Sequence, residues 1–317
     1  MYHIGIDLGG TNIAAGLTDE NGKIICRHSV PTIRERENDE IVKDMIEICR
    51  TLCEKSGADK SKVKSVGIGC PGLPDRENGI LLYSCNLNME NMPIAEVMNK
   101  ELGIPIYIDN DANCAALGEN ICGATKNCRN SITITLGTGV GGGIILNNRI
   151  YSGSFNGGTE LGHIVIAADG ELCGCGRHGC WEAYASATAL IRDARAIAAK
   201  YPSSEIYNAV SGNIKLIDAK TAFDAAEKND EYAVELVNKY YEYVSIGLVN
   251  LINIFEPEII ALGGGISEQG DKLIEPVKKL VEENVYGGVL KTKIVKAMLG
   301  NDAGIIGAAL LSEQGLK

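Results

Sequence analysis

No stretch of this 317-residue chain approaches the roughly 20 consecutive apolar residues that a membrane-spanning helix needs. Its opening residues, Tyr2-His3-Ile4-Gly5-Ile6-Asp7, form neither a basic head nor a long apolar run, so no secretory leader is expected and the protein is read as cytoplasmic. Basic charge is also scarce: 30 Lys and Arg stand against 41 Asp and Glu, giving a formal net charge of -11. That balance disfavours a nucleic-acid partner, and any phosphorylated ligand has to be met by backbone N–H groups and a divalent cation. The P-loop pattern GxxxxGK followed by Ser or Thr does not occur. The eleven cysteines are odd in number and unpaired in spacing outside one segment, which argues against a disulfide framework and for a reducing compartment.

That one segment is the most informative part of the chain. Within residues 158–182, His163, Cys173, Cys175 and Cys180 have spacings that suit a single Zn²⁺. A Cys3His set fills the metal's tetrahedron and leaves no position for a reactive water, so the ion is expected to hold protein rather than to do chemistry. Glu160 and Glu182 flank the ligands without belonging to them, and a fixed pair of carboxylates suits a polyhydroxylated ligand. Trp181, the single tryptophan, lies between the last ligand and Glu182, where core packing and pocket lining are both open.

With 45% hydrophobic residues the chain is long enough for two cores. Strand, glycine turn, strand is read at residues 1–17 around Gly9-Gly10-Thr11 and again at 131–146 around Gly137-Thr138-Gly139, the pattern of a duplication. Helical spacing covers 39–56, 95–102, 111–122, 185–200, 221–228 and 231–255, with further strands near 63–68, 104–108 and 258–262. The class is therefore α/β. The expected division is a smaller lobe of residues 1–113, rejoined by a terminal helix over 301–317 that carries Gly304, Gly307 and Ala308, and a larger lobe of 114–300.

Two of the glycine-rich turns, at residues 67–72 and 137–142, match GxGxxG as strings, but neither runs into a helix, so a Rossmann site is not expected. Turns of this kind are either plain hairpins or cradles whose N–H groups approach phosphate oxygens, to which Thr11 and Thr138 would add hydroxyl donors. Asp7, at the end of the first strand, is placed to hold Mg²⁺ directly or through water. In Asp109-Asn110-Asp111-Ala112-Asn113, Asp109 reads as a helix N-cap. Asp111 has two readings: it complements the helix dipole, or it accepts the proton of an attacking hydroxyl.

Asp7-Leu8-Gly9-Gly10-Thr11, Gly137-Thr138-Gly139 and Ala261-Leu262-Gly263-Gly264-Gly265 resemble the two phosphate motifs and the adenosine motif of actin-like sugar kinases. Glu160-Leu161-Gly162-His163, with Cys173-Gly174-Cys175-Gly176 and Gly179-Cys180-Trp181-Glu182, narrows the resemblance to the ROK family and its bacterial glucokinase branch. The resemblance implies two RNase H-like lobes (the actin-like ATPase and sugar kinase fold) around a central cleft, with ATP and Mg²⁺ as cofactors and a sugar hydroxyl as phosphate acceptor. It further implies that Asp111 is the base, that Gly72, Asn86, Asn110, Glu160, His163 and Glu182 meet the sugar, and that Asp7, Gly9, Gly10, Thr11, Asn12, Gly137, Thr138, Gly139, Gly263, Gly264 and Gly265 meet the nucleotide. His163 would serve zinc through one ring nitrogen and the sugar through the other. A homodimer or homotetramer is also implied. Glucose is the expected substrate, with N-acetylmannosamine, N-acetylglucosamine or fructose as alternatives and a sugar-responsive transcription regulator as a distant one. In Asn86-Leu87-Asn88-Met89 a thioether stands where the family often has Trp, which bears on sugar preference.

Overall fold

The computed structural model describes residues 1–314. Its strands, in chain order, are β1 (Tyr2–Leu8), β2 (Asn12–Asp19), β3 (Ile24–Pro31), β4 (Val63–Cys70), β5 (Leu73–Asp75), β6 (Ile80–Ser84), β7 (Met89–Met92), β8 (Ile106–Asn110), β9 (Ser131–Leu136), β10 (Val140–Leu146), β11 (Arg149–Tyr151), β12 (Ile259–Gly263) and β13 (Lys293–Lys296). The helices are α1 (Asn38–Ser56), α2 (Ile94–Leu102), α3 (Asp111–Cys122), α4 (Glu182–Ala185), α5 (Ala187–Lys200), α6 (Glu205–Ala209), α7 (Ala219–Glu227), α8 (Glu231–Phe255), α9 (Asp271–Asn284) and α10 (Asp302–Ala309). One sheet has the order β3-β2-β1-β4-β8 and another repeats it as β11-β10-β9-β12-β13. In the first, β1 is antiparallel to β2 and parallel to β4, which is parallel to β8. The repeated order is the duplicated α/β design that the two glycine turns predict.

Contacts divide the chain into two compact units. Unit 1 comprises Met1–Thr133, Gly143–Thr159 and the described residues from Ala297 onward; unit 2 comprises Ile134–Gly142 and Glu160–Lys296. Strands β9 and β10 pass through both, so no linker marks the boundary. The break expected after Asn113 falls inside α3, a continuous helix that belongs wholly to unit 1.

The core of unit 1 packs Ile4, Ile6, Leu8, Ile13 and Leu17 of β1 and β2 with Ile41, Met45, Ile48 and Leu52 of α1, all buried. The spacing of those α1 residues puts them on one face of the helix, which ends at Gly57 in the left-handed conformation (φ 66°). Helix α10 closes this unit: a β-carbon at Gly5 or Gly67 would run into the carbonyl of Ile305 or Ala308, so only glycine lets the helix lie this close to the sheet. The described part of the terminal segment, from Ala297, belongs to unit 1. The helix is shorter than 301–314, giving way to a 3₁₀ turn at Leu311–Gln314, and residues 315–317 of the expected helix lie outside the described residues.

Helix α9 went unforeseen because Pro276 sits inside it. Proline cannot donate to the carbonyl four residues back, but that carbonyl, of Lys272, accepts the Tyr241 hydroxyl at 2.8 Å and is not left bare. Met89, the departure from the family's pattern, is fully buried among the core residues of unit 1.

Candidate functional site

Strand register sets the site in unit 1. Asp7 pairs with Gly69 across β1 and β4, and Gly69 with Asp109 across β4 and β8, so both aspartates stand in one row at the carboxyl ends of parallel strands. Ligands of open α/β sheets gather at such strand ends. The Asp7 side chain is partly exposed and makes no hydrogen bond or ion pair among the described residues. Burial alone pushes its carboxyl above the ordinary range. A β-carbon on Gly304 of α10 would lie 3.4 Å from its Cγ, so glycine lets that helix lie close beside the carboxylate.

Asp109 is not the cap that the sequence predicts. Asn110 is the N-cap of α3, its Oδ1 accepting the N–H groups of Ala112 and Asn113 at 2.9 and 3.3 Å. Asp109 instead turns inward, with its side chain 1% exposed, and pairs with Arg76, whose Nε lies 2.9 Å from Oδ2 in an ion pair that lacks hydrogen-bond alignment. Its Oδ1 accepts the Asn110 N–H at 2.7 Å and the Asn113 amide at 2.9 Å. Burial pushes this carboxyl up, while Arg76 and the two hydrogen bonds pull the other way. Asp111 begins α3, and its Oδ1 accepts the Ala112 N–H at 2.8 Å. The Asn110 amide reaches the Gly72 carbonyl at 3.3 Å, drawing the expected sugar-side residues Gly72, Asn110 and Asp111 together. Asn86 lies against Gly10.

The turn from Gly9 to Asn12 is closed by the Gly9 N–H on the Asn12 carbonyl at 3.0 Å and braced by Thr32, which bonds the carbonyls of Thr11 and Gly9, both at 2.7 Å. Among the described residues the N–H groups of Gly10 and Thr11 have no protein acceptor. That is the state a phosphate-binding turn requires.

In unit 2, the ligand atoms of His163, Cys173, Cys175 and Cys180 all lie within 4.8 Å of one another. Zn–S bonds of about 2.3 Å would place two sulfurs of a tetrahedron ~3.8 Å apart. Cys175 and Cys180 have their sulfurs 3.7 Å apart, and Cys173 Sγ lies 3.7 Å from His163 Nδ1. The four groups therefore fit zinc, with Nδ1 as the histidine donor and Nε2 left over. Burial raises the Cys173 thiol to about 12 and also raises Cys180, whereas a hydrogen bond from the Arg177 backbone lowers Cys175.

Trp181 fixes this loop to the interior. It is 0% exposed, its Nε1 donates to the Tyr243 carbonyl at 2.8 Å, and its indole lies where a side chain on Gly247 of α8 would be. Core packing is its role. Glu182 starts α4, one oxygen accepting the Val140 N–H at 3.0 Å and the other 3.6 Å from Cys173 Sγ. One side chain thus ties the cysteine cluster to the turn at Gly137-Thr138-Gly139, which is held from the other side by Ala187 N–H and the Thr188 hydroxyl on the carbonyls of Gly137 and Thr138. Glu160 is exposed and precedes the 3₁₀ turn Leu161–His163, its carbonyl accepting the His163 N–H at 3.0 Å. Gly264 (φ 81°) follows β12, and Ser267 bonds its carbonyl through both N–H and hydroxyl.

The family model for ROK matches residues 3–315. The chain belongs to the ROK family. This ROK chain is 37% identical over 313 residues to a glucokinase of Thermotoga maritima, covering 98% of this chain and 97% of that protein. A glucokinase of Streptomyces coelicolor is also 37% identical, over 315 residues, with 98% and 97% covered. Among solved structures, a ROK glucokinase from Streptomyces griseus in complex with glucose and AMPPNP superposes with a TM-score of 0.83 at 36% identity, covering 99% of this chain and 100% of that one.

Sequence reasoning passed over Arg76 and Asn113, which contact Asp109, and Ser152 and Thr159, which contact Arg76 and Asn113 in turn. Only Asn113 carried a signal, four residues after Asp109 at the start of a helix. Arg76 lies 33 positions away, in a turn after a short strand, and nothing local couples it to Asp109.

Proposed function

We propose that this ROK protein is an ATP-dependent hexokinase that moves the γ-phosphate of ATP to a hydroxyl of glucose, yielding glucose 6-phosphate and ADP. The observation that carries the reading is the strand-end row of unit 1. Asp7 there is a carboxylate with no protein counter-ion, beside a turn with open N–H groups, while Asp111 stands at the head of a helix from the same sheet.

In the proposed chemistry Asp111 accepts the proton of the sugar hydroxyl as its oxygen bonds to phosphorus, and the bond from that phosphorus to the ADP oxygen breaks in line with it. Asn110, Gly72, Asn86, Glu160, Glu182 and the Nε2 of His163 would orient the sugar. The turns formed by Gly9, Gly10, Thr11 and Asn12 and by Gly137, Thr138 and Gly139 would carry the phosphates, the first through the open N–H groups of Gly10 and Thr11, with Gly263, Gly264 and Gly265 at the nucleoside. Mg²⁺ would be held by Asp7, directly or through water, and by the phosphates, where it neutralises their charge. Zn²⁺ on His163, Cys173, Cys175 and Cys180 would be structural, keeping Glu182 and Trp181 in place.

The glucose 6-phosphate product would suit a cytoplasmic enzyme feeding sugar breakdown; among the described residues no helix is long and apolar enough to cross a membrane. Exposed Ile254, Tyr286 and Val289 on unit 2 support self-association into dimers or tetramers. The test is a panel of free sugars with ATP and Mg²⁺, read as initial rates of ADP release. Glucose is expected to give the highest kcat/KM. A higher value for N-acetylmannosamine, N-acetylglucosamine or fructose would move the substrate assignment, and no sugar-dependent release would end it.

A further inference from the structure

We infer that Arg76, Asp109, Asn113 and Thr159 form a positioning network that fastens the neck of the loop at residues 152–159 to the strand end carrying Asp111, and so sets the affinity for sugar. The inference rests on the sugar-kinase reading above and assigns residues that the reading leaves without a role.

The chain of contacts is continuous within unit 1. The Thr159 hydroxyl donates to Asn113 Oδ1 at 3.2 Å, and the same amide donates to Asp109 Oδ1 at 2.9 Å. Asp109 pairs with Arg76, whose Nη1 donates to the Ser152 hydroxyl at 2.9 Å, and Ser152 passes its proton toward Asn156 Oδ1 at 3.3 Å. The hydrogen bonds run from Thr159 through Asn113 to Asp109 and from Arg76 through Ser152 to Asn156, and the Arg76–Asp109 ion pair joins the two runs by charge alone. It grips both ends of a single loop, Ser152 at the start and Thr159 at the finish, and the Gly158 N–H closes the neck on the Ser152 carbonyl at 2.8 Å. Beyond that neck Phe155 is 91% exposed.

Two features mark the network as more than packing. Thr159 has φ 70°, a region that a β-branched side chain avoids, and its hydroxyl bond to Asn113 opposes relaxation. The two ends of the network also abut the groups assigned to the sugar: Thr159 immediately precedes Glu160, and Asp109 immediately precedes Asn110 and Asp111. Loosening the Thr159 end should therefore disturb sugar binding while the Arg76–Asp109 pair still holds the base in place.

Removing Arg76 would strand a buried carboxylate and risks the fold, so the decisive variant is Thr159→Val, which keeps the shape and deletes the donor. It should raise KM for glucose about five- to tenfold, the worth of one net hydrogen bond, while kcat and KM for ATP stay within about twofold. Thr159→Ser, which restores the donor, should return KM for glucose to near the parent value. The inference is overturned if Thr159→Val leaves KM for glucose unchanged, if Ser behaves like Val, or if KM for ATP rises in step with that for glucose. A parent protein without sugar-dependent turnover would instead remove the kinase reading, and this inference with it.

Discussion

Replacing Glu119 by Ala tests how unit 1 holds its terminal segment. Glu119 lies on α3 and is 0% exposed. One carboxylate oxygen accepts the N–H groups of Ala124 at 2.7 Å and Met298 at 3.1 Å, and the other accepts that of Leu299 at 2.7 Å. Those last two residues open the turn that leads into α10, so one side chain pins a segment 180 positions away. A hydrogen bond to a charged group contributes about 1.5–3 kcal/mol, and each buried donor left without a partner costs about 1–3 kcal/mol. Since the three bonds share one carboxylate, their losses do not add in full, and about 4 kcal/mol is the expected cost, a large share of the roughly 5–15 kcal/mol that holds a domain together. Glu119→Gln can keep two of the three bonds and should cost about half as much. Urea unfolding followed by far-UV circular dichroism gives both values, with Trp181 fluorescence reporting unit 2 separately. A loss below about 1 kcal/mol for Glu119→Ala would refute the reasoning.

Asp111→Asn should leave the KM for glucose near its parent value and lower kcat by about 10²-fold or more, because positioning survives while proton acceptance does not; steady-state kinetics decide it, and near-parent kcat would discard the base. Cys175→Ser should reduce bound zinc and raise KM for glucose, since Glu182 and Trp181 adjoin the cluster; metal analysis finding no zinc in the parent would remove the premise. His3 is buried and bonded through Nδ1 to the Ser65 hydroxyl at 2.8 Å, and burial lowers its basicity from the ordinary value of 6.5. With the folded value below the unfolded one, its contribution to stability is present above pH 6.5 and is lost as pH falls from there through the folded value, by no more than about 1.4 kcal/mol per pH unit. The pH dependence of urea midpoints should flatten over that window in His3→Gln, and an unchanged profile would contradict this account.

What could be read from the sequence was local. Helix α3 runs over 111–122 and α8 over 231–255, as their spacing predicts, because Asn110 and Asp230 supply N-cap oxygens next to periodic apolar residues. The cysteine cluster was legible for the same reason: its four ligands fall within 18 residues, and local turns with the bridges of Val165 to Cys180 and Leu172 to His178 bring them together. Edge strand β3 hid because none of its residues is buried and its apolar and polar residues do not alternate along it, and β5, β6 and β7 because each is short. The role of Asp109 was misread for a different reason. A carboxylate before a helix looks like a cap wherever its partner is remote, and the partner here, Arg76, comes close only when β4 and β8 pair.

The sugar-kinase reading is tested most directly by following ATP, Mg²⁺ and glucose with the zinc-replete protein by ³¹P NMR. Glucose 6-phosphate and ADP should appear in equal amounts, with the γ-phosphate lost from ATP recovered on the sugar. Release of inorganic phosphate in its place, or an unchanged ATP spectrum, would contradict it.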